Sequence, residues 1–137
     1  MFLLDTNILS EMRRIKPHGG VVAWLQRQPG HLMFVSAVSI GEIQVGIETT
    51  RKQDPTRARE LDEWCSALIL SSQIVPMGAE EFQEFARIMR GKSETLIYDA
   101  MIAATAKVHG MEVVSRNVAD FKALGCAVIN PFNFKGE

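Results

Sequence analysis

Asp5 closes the short apolar run "FLL" and opens "DTN". A strand that only fills a core can end on any polar residue, whereas a strand that delivers a carboxylate to a cleft ends as this one does. Three further segments offer acids in comparable places. In "LIYDAMIAATAKVHG", Asp99, Ile102, Ala103 and Ala106 share one helical stripe, so the carboxylate faces the same way as small apolar residues. In "SAVSIGEIQVGIE", Glu42 falls between Val38 and Val45 on an apolar face. In "EVVSRNVADF", Asn117 and Asp120 follow an apolar strand that ends at Ser115. Inward-facing carboxylates are uncommon without a partner. Two carboxylates about 4 Å apart repel by roughly 4 kcal/mol at an effective dielectric near 20. Three such pairs would cost about 12 kcal/mol, comparable to the roughly 5–15 kcal/mol stability of a whole domain. A bound cation relieves that repulsion. The candidate ligands are all oxygens, and no His or Cys stands at ligand spacing, which favours Mg²⁺ or Mn²⁺ over zinc.

Each acid also has a structural reading. Ser39 and Glu42 fit the S-x-x-E capping box, which accounts for Glu42 as well as catalysis does. Asn117 and Asp120 have N-cap and N3 spacing. Asp99 could complement a helix dipole, but a helix starting near Thr95 would place it beyond the first turn.

For these groups to meet, the elements that carry them must end on one edge. Apolar runs at 2–4, 32–35, 74–77, 112–114 and 127–129 read as short buried strands. Helical spacing covers 21–28, 39–50, 56–71, 79–90, 95–109 and 118–123. The alternation predicts an α/β fold, a central, mostly parallel sheet of about five short strands flanked by helices. Such sheets place ligand sites beyond the carboxyl ends of their strands. Pro76 argues against a central position for the 74–77 run. The stretches 49–56, with Pro55 at a helix entry, and 91–94 read as loops.

The chain has 137 residues and a net charge of −1, which suggests one domain over 1–137 and gives no global sign of nucleic-acid binding. Any such role would need local basic patches. Arg13, Arg14 and Lys16 follow Asp5, and Arg116 adjoins Asn117; each taken singly reads as a solvated charge. Cys65 and Cys126 form neither a disulfide framework nor a zinc site. "FLL" is too short for a signal-peptide core and no apolar run approaches a membrane span, so a cytoplasmic location is expected. Trp24 and Trp64 read as packing or interface residues, and His18, His31 and His109 have no general-base pattern.

The sequence resembles PIN-domain ribonucleases, specifically the VapC-type toxins of bacterial toxin–antitoxin pairs and their FitB-like branch. The resemblance rests on "LLDTNILSE", "VSAVSIGEIQVGI", "YDAMIAATAKVHGMEVVSRNVADF" and "VINPF", in order and at matching spacing. It implies a PIN-like fold and a type II toxin acting as an endoribonuclease that hydrolyses RNA phosphodiesters with Mg²⁺ or Mn²⁺. Asp5, Glu42 and Asp99 fall on the family's acidic positions, and Thr6 and Ser115 on its hydroxyl positions. Asn117 stands where a fourth acid can occur, so Asn117 or Asp120, acting through water, competes for that place. Arg13, Arg14 and Arg116 are the expected RNA phosphate contacts. The implied partners are RNA, a cognate antitoxin that blocks the acidic groove, operator DNA through that antitoxin only, and a second copy of the chain. Leu61, Trp64, Leu68, Phe82 and Phe85 are candidates for the homodimer interface and could equally be core. Two alternatives differ in class. A catalytically inactive PIN-like binding module is opposed by the intact acidic set. A haloacid-dehalogenase-like phosphotransferase is opposed by Asn7 at the second acidic place of D-x-D.

Overall fold

The computed structural model describes residues 1–136. Five strands form one sheet: β1 (Phe2–Leu4), β2 (Met33–Ser36), β3 (Ile74–Val75), β4 (Glu112–Val114) and β5 (Val128–Ile129). The order is β3-β2-β1-β4-β5, and every neighbouring pair is parallel. The sheet is therefore wholly parallel, and the proline-limited β3 lies at an edge as its sequence requires.

Alternation along the strands sends side chains to two covered faces. Leu3 and Val113 enter one apolar cluster, while Leu4, Val35 and Val114 enter the other. The first cluster is closed by α5 (Ala79–Met89), α6 (Ile97–His109) and α7 (Val118–Ala123). The second is closed by α1 (Thr6–Met12), α2 (Gly19–Arg27), α3 (Ala37–Arg51) and α4 (Pro55–Ser71). Helix α6 lies tight against its neighbours because Ala100, Ala103, Ala104 and Ala106 are fully buried. It ends at Gly110, whose φ of 66° is the left-handed conformation that glycine adopts without a Cβ clash.

Several sequence expectations are corrected. Helix α1 was missed, because seven residues starting directly behind a strand show too little periodicity. Helix α3 continues through Arg51, so the loop before Pro55 is only 52–54. Val45 is exposed, which removes it from the apolar face assigned to Glu42. Leu61, Trp64 and Leu68 are partly buried against the second cluster and Phe85 against the first, while Phe82 is exposed. Trp24 is buried edge-on to Phe2, with ring centroids 5.1 Å apart.

Candidate active site

Register brings the strand ends level. Leu4 is opposite Val35 on one side and Val114 on the other, so Asp5, Ser36 and Ser115 leave the sheet at the same edge. The chain winds from β1 outward to β3, then returns to the other side of β1 for β4. The site lies where the strand order reverses, the usual crevice in such sheets.

Asp5 caps α1 and is 2% exposed. Its Oδ1 accepts from the Thr6 amide at 2.8 Å. Its Oδ2 accepts from the Ser115 hydroxyl at 2.7 Å and from Asn7 Nδ2 at 3.2 Å. All three donors are neutral, and burial still raises its pKa above the ordinary carboxylate value, against the lowering by Ser115 and Thr6. Ser115 is also a hub: its Oγ accepts from the Asn117 amide at 2.9 Å and from Asn7 Nδ2 at 3.2 Å.

Glu42 projects from the second turn of α3. Thr6 Oγ1 stands 2.9 Å from Glu42 Oε1 and 2.9 Å from Ser39 Oγ. One hydroxyl proton serves one acceptor at a time, so these groups form a chain in which Thr6 steadies Glu42. Burial raises the Glu42 pKa, the Thr6 hydroxyl opposes that, and the charge of Asp5 adds to it. The capping-box alternative is overturned. Helix α3 begins one turn earlier than the motif implied, Ser36 is its cap through the Val38 amide at 3.0 Å, and Ser39 is fully buried inside the helix.

Asp99 lies in the first turn of α6, because Glu94–Leu96 form a separate 3-10 turn and the α-helix starts only at Ile97. The expectation that it stood beyond that turn is corrected. Its pKa is pushed up to about 6, first by burial and then by the charges of Asp5, Glu42 and Asp120. Asn117 occupies the N-cap position of α7, but its side chain makes no capping hydrogen bond. Asp120 is exposed and near enough to act on Asp99 electrostatically. Tyr98 is exposed and does not line the cavity.

A cavity of about 560 Å³ gathers Asp5, Thr6, Glu42, Asp99 and Asn117, with Arg13 and Arg14 at its rim. Arg116 is not among its lining residues; its guanidinium stacks 3.8 Å above the Phe132 ring centroid. Among the described residues no ion pair includes Asp5, Glu42 or Asp99. Sequence reasoning passed over Asn7, which ties Asp5 to Ser115, and assigned Ser39 to a cap. The consecutive run Asp5–Thr6–Asn7 was the available signal for Asn7.

Whether a divalent cation fits can be judged from the donors. Three half-buried or buried carboxylates with raised pKa values and no cationic partner suit a hard cation. They are not drawn into a tight cage: among the described residues no three His, Cys, Asp or Glu side chains are grouped closely enough to enclose a metal.

The PIN domain family profile matches residues 2–125. The chain belongs to the PIN domain family. Over 140 residues this PIN domain is 32% identical to Toxin FitB of Neisseria gonorrhoeae, covering 97% of this chain and 99% of that protein. It is 29% identical over 139 residues to VapC ribonuclease Y4jK of Sinorhizobium fredii, covering 96% and 98%. Among solved structures, FitAcB from Neisseria gonorrhoeae superposes with a TM-score of 0.83 at 32% identity, over 98% of this chain and all of that one. The resemblance drawn from "LLDTNILSE" and its companion motifs therefore holds across nearly the whole PIN domain.

Proposed function

We propose that this PIN domain is the toxin of a toxin–antitoxin pair and acts as an endoribonuclease dependent on Mg²⁺ or Mn²⁺. The observation that carries the reading is the convergence of Asp5, Glu42 and Asp99, without an ion-pair partner among the described residues, on one open cavity at the carboxyl edge of the sheet. The names of its relatives, a VapC ribonuclease and Toxin FitB, support the activity and the toxin role.

Asp5, Glu42 and Asp99 would hold the ion, with Asn117 or Asp120 completing its surroundings through water. When bound, a divalent cation places positive charge beside the scissile phosphate and lowers the pKa of an attacking water. The chain's own residues prepare that chemistry. Ser115, Asn7 and the Thr6 amide fix the Asp5 carboxylate, and Thr6 with Ser39 fixes Glu42. Fixed oxygens need little reorganisation when charge arrives. Burial and the neighbouring carboxylates push Asp99 up to about 6, which favours its protonated form in the ion's absence. Arg13 and Arg14 offset the acidic field at the rim and would receive phosphate oxygens.

Solved relatives are FitAcB and FitAB bound to a DNA fragment. By that likeness, a cognate antitoxin would cover the acidic cavity with a basic side chain and carry any contact with operator DNA, and the toxin would form a homodimer. The test is cleavage of an RNA panel by the purified chain with Mg²⁺, with Mn²⁺ and with chelator, beside Asp99→Asn. Cation-dependent cleavage lost in the variant supports the reading. Cleavage that persists in chelator or in Asp99→Asn overturns the metal site.

A further inference from the structure

Carboxylates that share a cavity with arginines ordinarily pair with them, because a charge-assisted contact is favourable wherever water is partly excluded. The acidic cavity breaks that expectation. Arg13 and Arg14 line it together with Asp5, Glu42 and Asp99. A smaller cavity of about 280 Å³ beside it is lined by Arg13 and Glu42 at once. Arg116 stands between Ser115 and Asn117. Its amide donates to Asn7 Oδ1 at 3.3 Å, and the same Asn7 side chain reaches Asp5 at 3.2 Å. One side-chain amide therefore separates the Arg116 backbone from Asp5, a gap that an extended arginine side chain can span. Yet among the described residues no ion pair joins any of these arginines to Asp5, Glu42 or Asp99.

Each guanidinium is held by something else. Arg13 lies over the Trp64 ring, its guanidinium carbon 5.6 Å from the centroid. Arg14 reaches the buried Glu11 at 3.4 Å. Arg116 lies over the Phe132 ring at 3.8 Å. The three holders are themselves placed by the fold. Trp64 is carried by α4 and is partly buried against the second cluster. Glu11 accepts from the His18 amide at 2.9 Å, and it stands in the last turn of α1, where a carboxylate opposes the helix dipole and gains nothing locally. Phe132 belongs to the turn Pro131–Asn133, in which Pro131 is buried and the Asn130 side chain accepts from the Phe132 amide at 3.0 Å. That turn lies tight on α2, because Gly20 lacks the Cβ that would meet the Pro131 carbonyl oxygen at 2.9 Å.

We propose that Trp64, Glu11 and Phe132 are positioning residues that tether Arg13, Arg14 and Arg116 away from the acidic centre, so that its carboxylates stay available to an external cation. The inference rests on the metal-site reading of Asp5, Glu42 and Asp99. A guanidinium competes for the same oxygens as the ion, since a bidentate pair occupies both oxygens of a carboxylate and cancels its charge. An aromatic face attracts the guanidinium and leaves that charge in place. Glu11 supplies Arg14 with a carboxylate of its own. The arginines thereby keep their positive field at the rim and leave the three acids unoccupied. A basic side chain delivered by a partner would form the pair from which the chain's own arginines are held back.

Mg²⁺ binding to the whole chain, without RNA, tests the tethers. Titration calorimetry compares wild type with Trp64→Leu and Phe132→Leu, and with the doubles Trp64→Leu/Arg13→Gln and Phe132→Leu/Arg116→Gln. Leucine keeps apolar volume against the second cluster and removes the ring face, whereas Trp64→Phe and Phe132→Tyr keep a ring. An exposed ring holds a cation by the equivalent of about 2- to 5-fold, so each leucine variant should bind Mg²⁺ about 2- to 5-fold more weakly. Each aromatic variant should match wild type, and each double variant should return to wild-type affinity or better. A packing role would not be relieved by removing an arginine. Unchanged affinity in the leucine variants, or a loss that the Arg→Gln change leaves in place, overturns the tether. Nε–H exchange of Arg13 and Arg116, followed by NMR in chelator, reads the same proposal without metal. It should slow in the leucine variants as the guanidinium pairs with a carboxylate, and unchanged exchange there overturns the tether. Wild type that binds neither Mg²⁺ nor Mn²⁺ overturns the metal-site reading instead, and the chelator measurement still decides the tether.

Discussion

Replacing Asp99 with Asn isolates the repulsion that organises the site. The carboxyl is raised from 3.8 to about 6 by burial and by Asp5, Glu42 and Asp120. At 1.36 kcal/mol per unit this sets a ceiling of about 3 kcal/mol on the penalty for ionising Asp99 in the metal-free fold at neutral pH. Asp99 is partly exposed, and solvent screening reduces the figure to about 1–2 kcal/mol. One term opposes it: in the first turn of α6 the carboxylate gains about 0.3–1 kcal/mol from the helix dipole, which Asn forfeits. The repulsion is the larger effect, so metal-free Asp99→Asn should be more stable than wild type by about 1 kcal/mol at pH 7.5, or about 3–5 °C in Tm. The sign with pH follows from the direction of the shift. Between pH 3.8 and about 6 the folded wild type binds a proton that the unfolded chain has released, so the Asp99 contribution to stability is retained below that window and lost as pH rises through it. The advantage of the variant should be widest near neutrality and close by about pH 4. Thermal unfolding followed by circular dichroism in chelator, across that range, measures it. A variant no more stable than wild type near neutrality, or a gap that does not change with pH, would refute the idea that these carboxylates repel one another in the absence of a cation. Added Mg²⁺ should reverse the order, since a hundredfold excess over Kd stabilises wild type by about 2.7 kcal/mol.

Ser115→Ala removes the 2.7 Å hydrogen bond to buried Asp5 and the acceptor of the Asn117 amide, and should cost about 1.5–3 kcal/mol by denaturant unfolding. Asp120→Ala should change stability by less than about 1 kcal/mol and, if Asp120 supports the ion through water, weaken Mg²⁺ affinity or cleavage about 10–100-fold. Asn117→Asp should tighten Mg²⁺ binding in calorimetry, and a silent Asp120→Ala beside it would assign the fourth position to Asn117. Gly20→Ala should destabilise by about 1–3 kcal/mol, because its Cβ would stand 2.8 Å from the Phe134 carbonyl oxygen and 2.9 Å from that of Pro131, both backbone atoms.

The candidate acids were legible because their chemistry is local. A carboxylate directly behind an apolar strand, and another on an alanine-rich helical stripe, conflict with burial wherever they fold. The strand–helix alternation was local too, and with it came the parallel sheet and the edge placement of β3. What sequence could not decide were helix starts and neighbours. S-x-x-E is the same string whether Ser39 begins a helix or lies inside one; the hydrogen bond from Ser36 to Val38 decided it and freed Glu42 for the cavity. Asn117 had the spacing of a cap, yet its side chain makes no capping hydrogen bond and lines the cavity instead. Asn7 gains its partner 108 residues away, and Arg13 meets Trp64 only because α4 folds across the end of α1. The residue types alone determined that charge would have to be gathered and compensated. Only the level register of β1 with β2 and β4 determined where, because a one-residue slip would have turned Asp5 to the other face of the sheet.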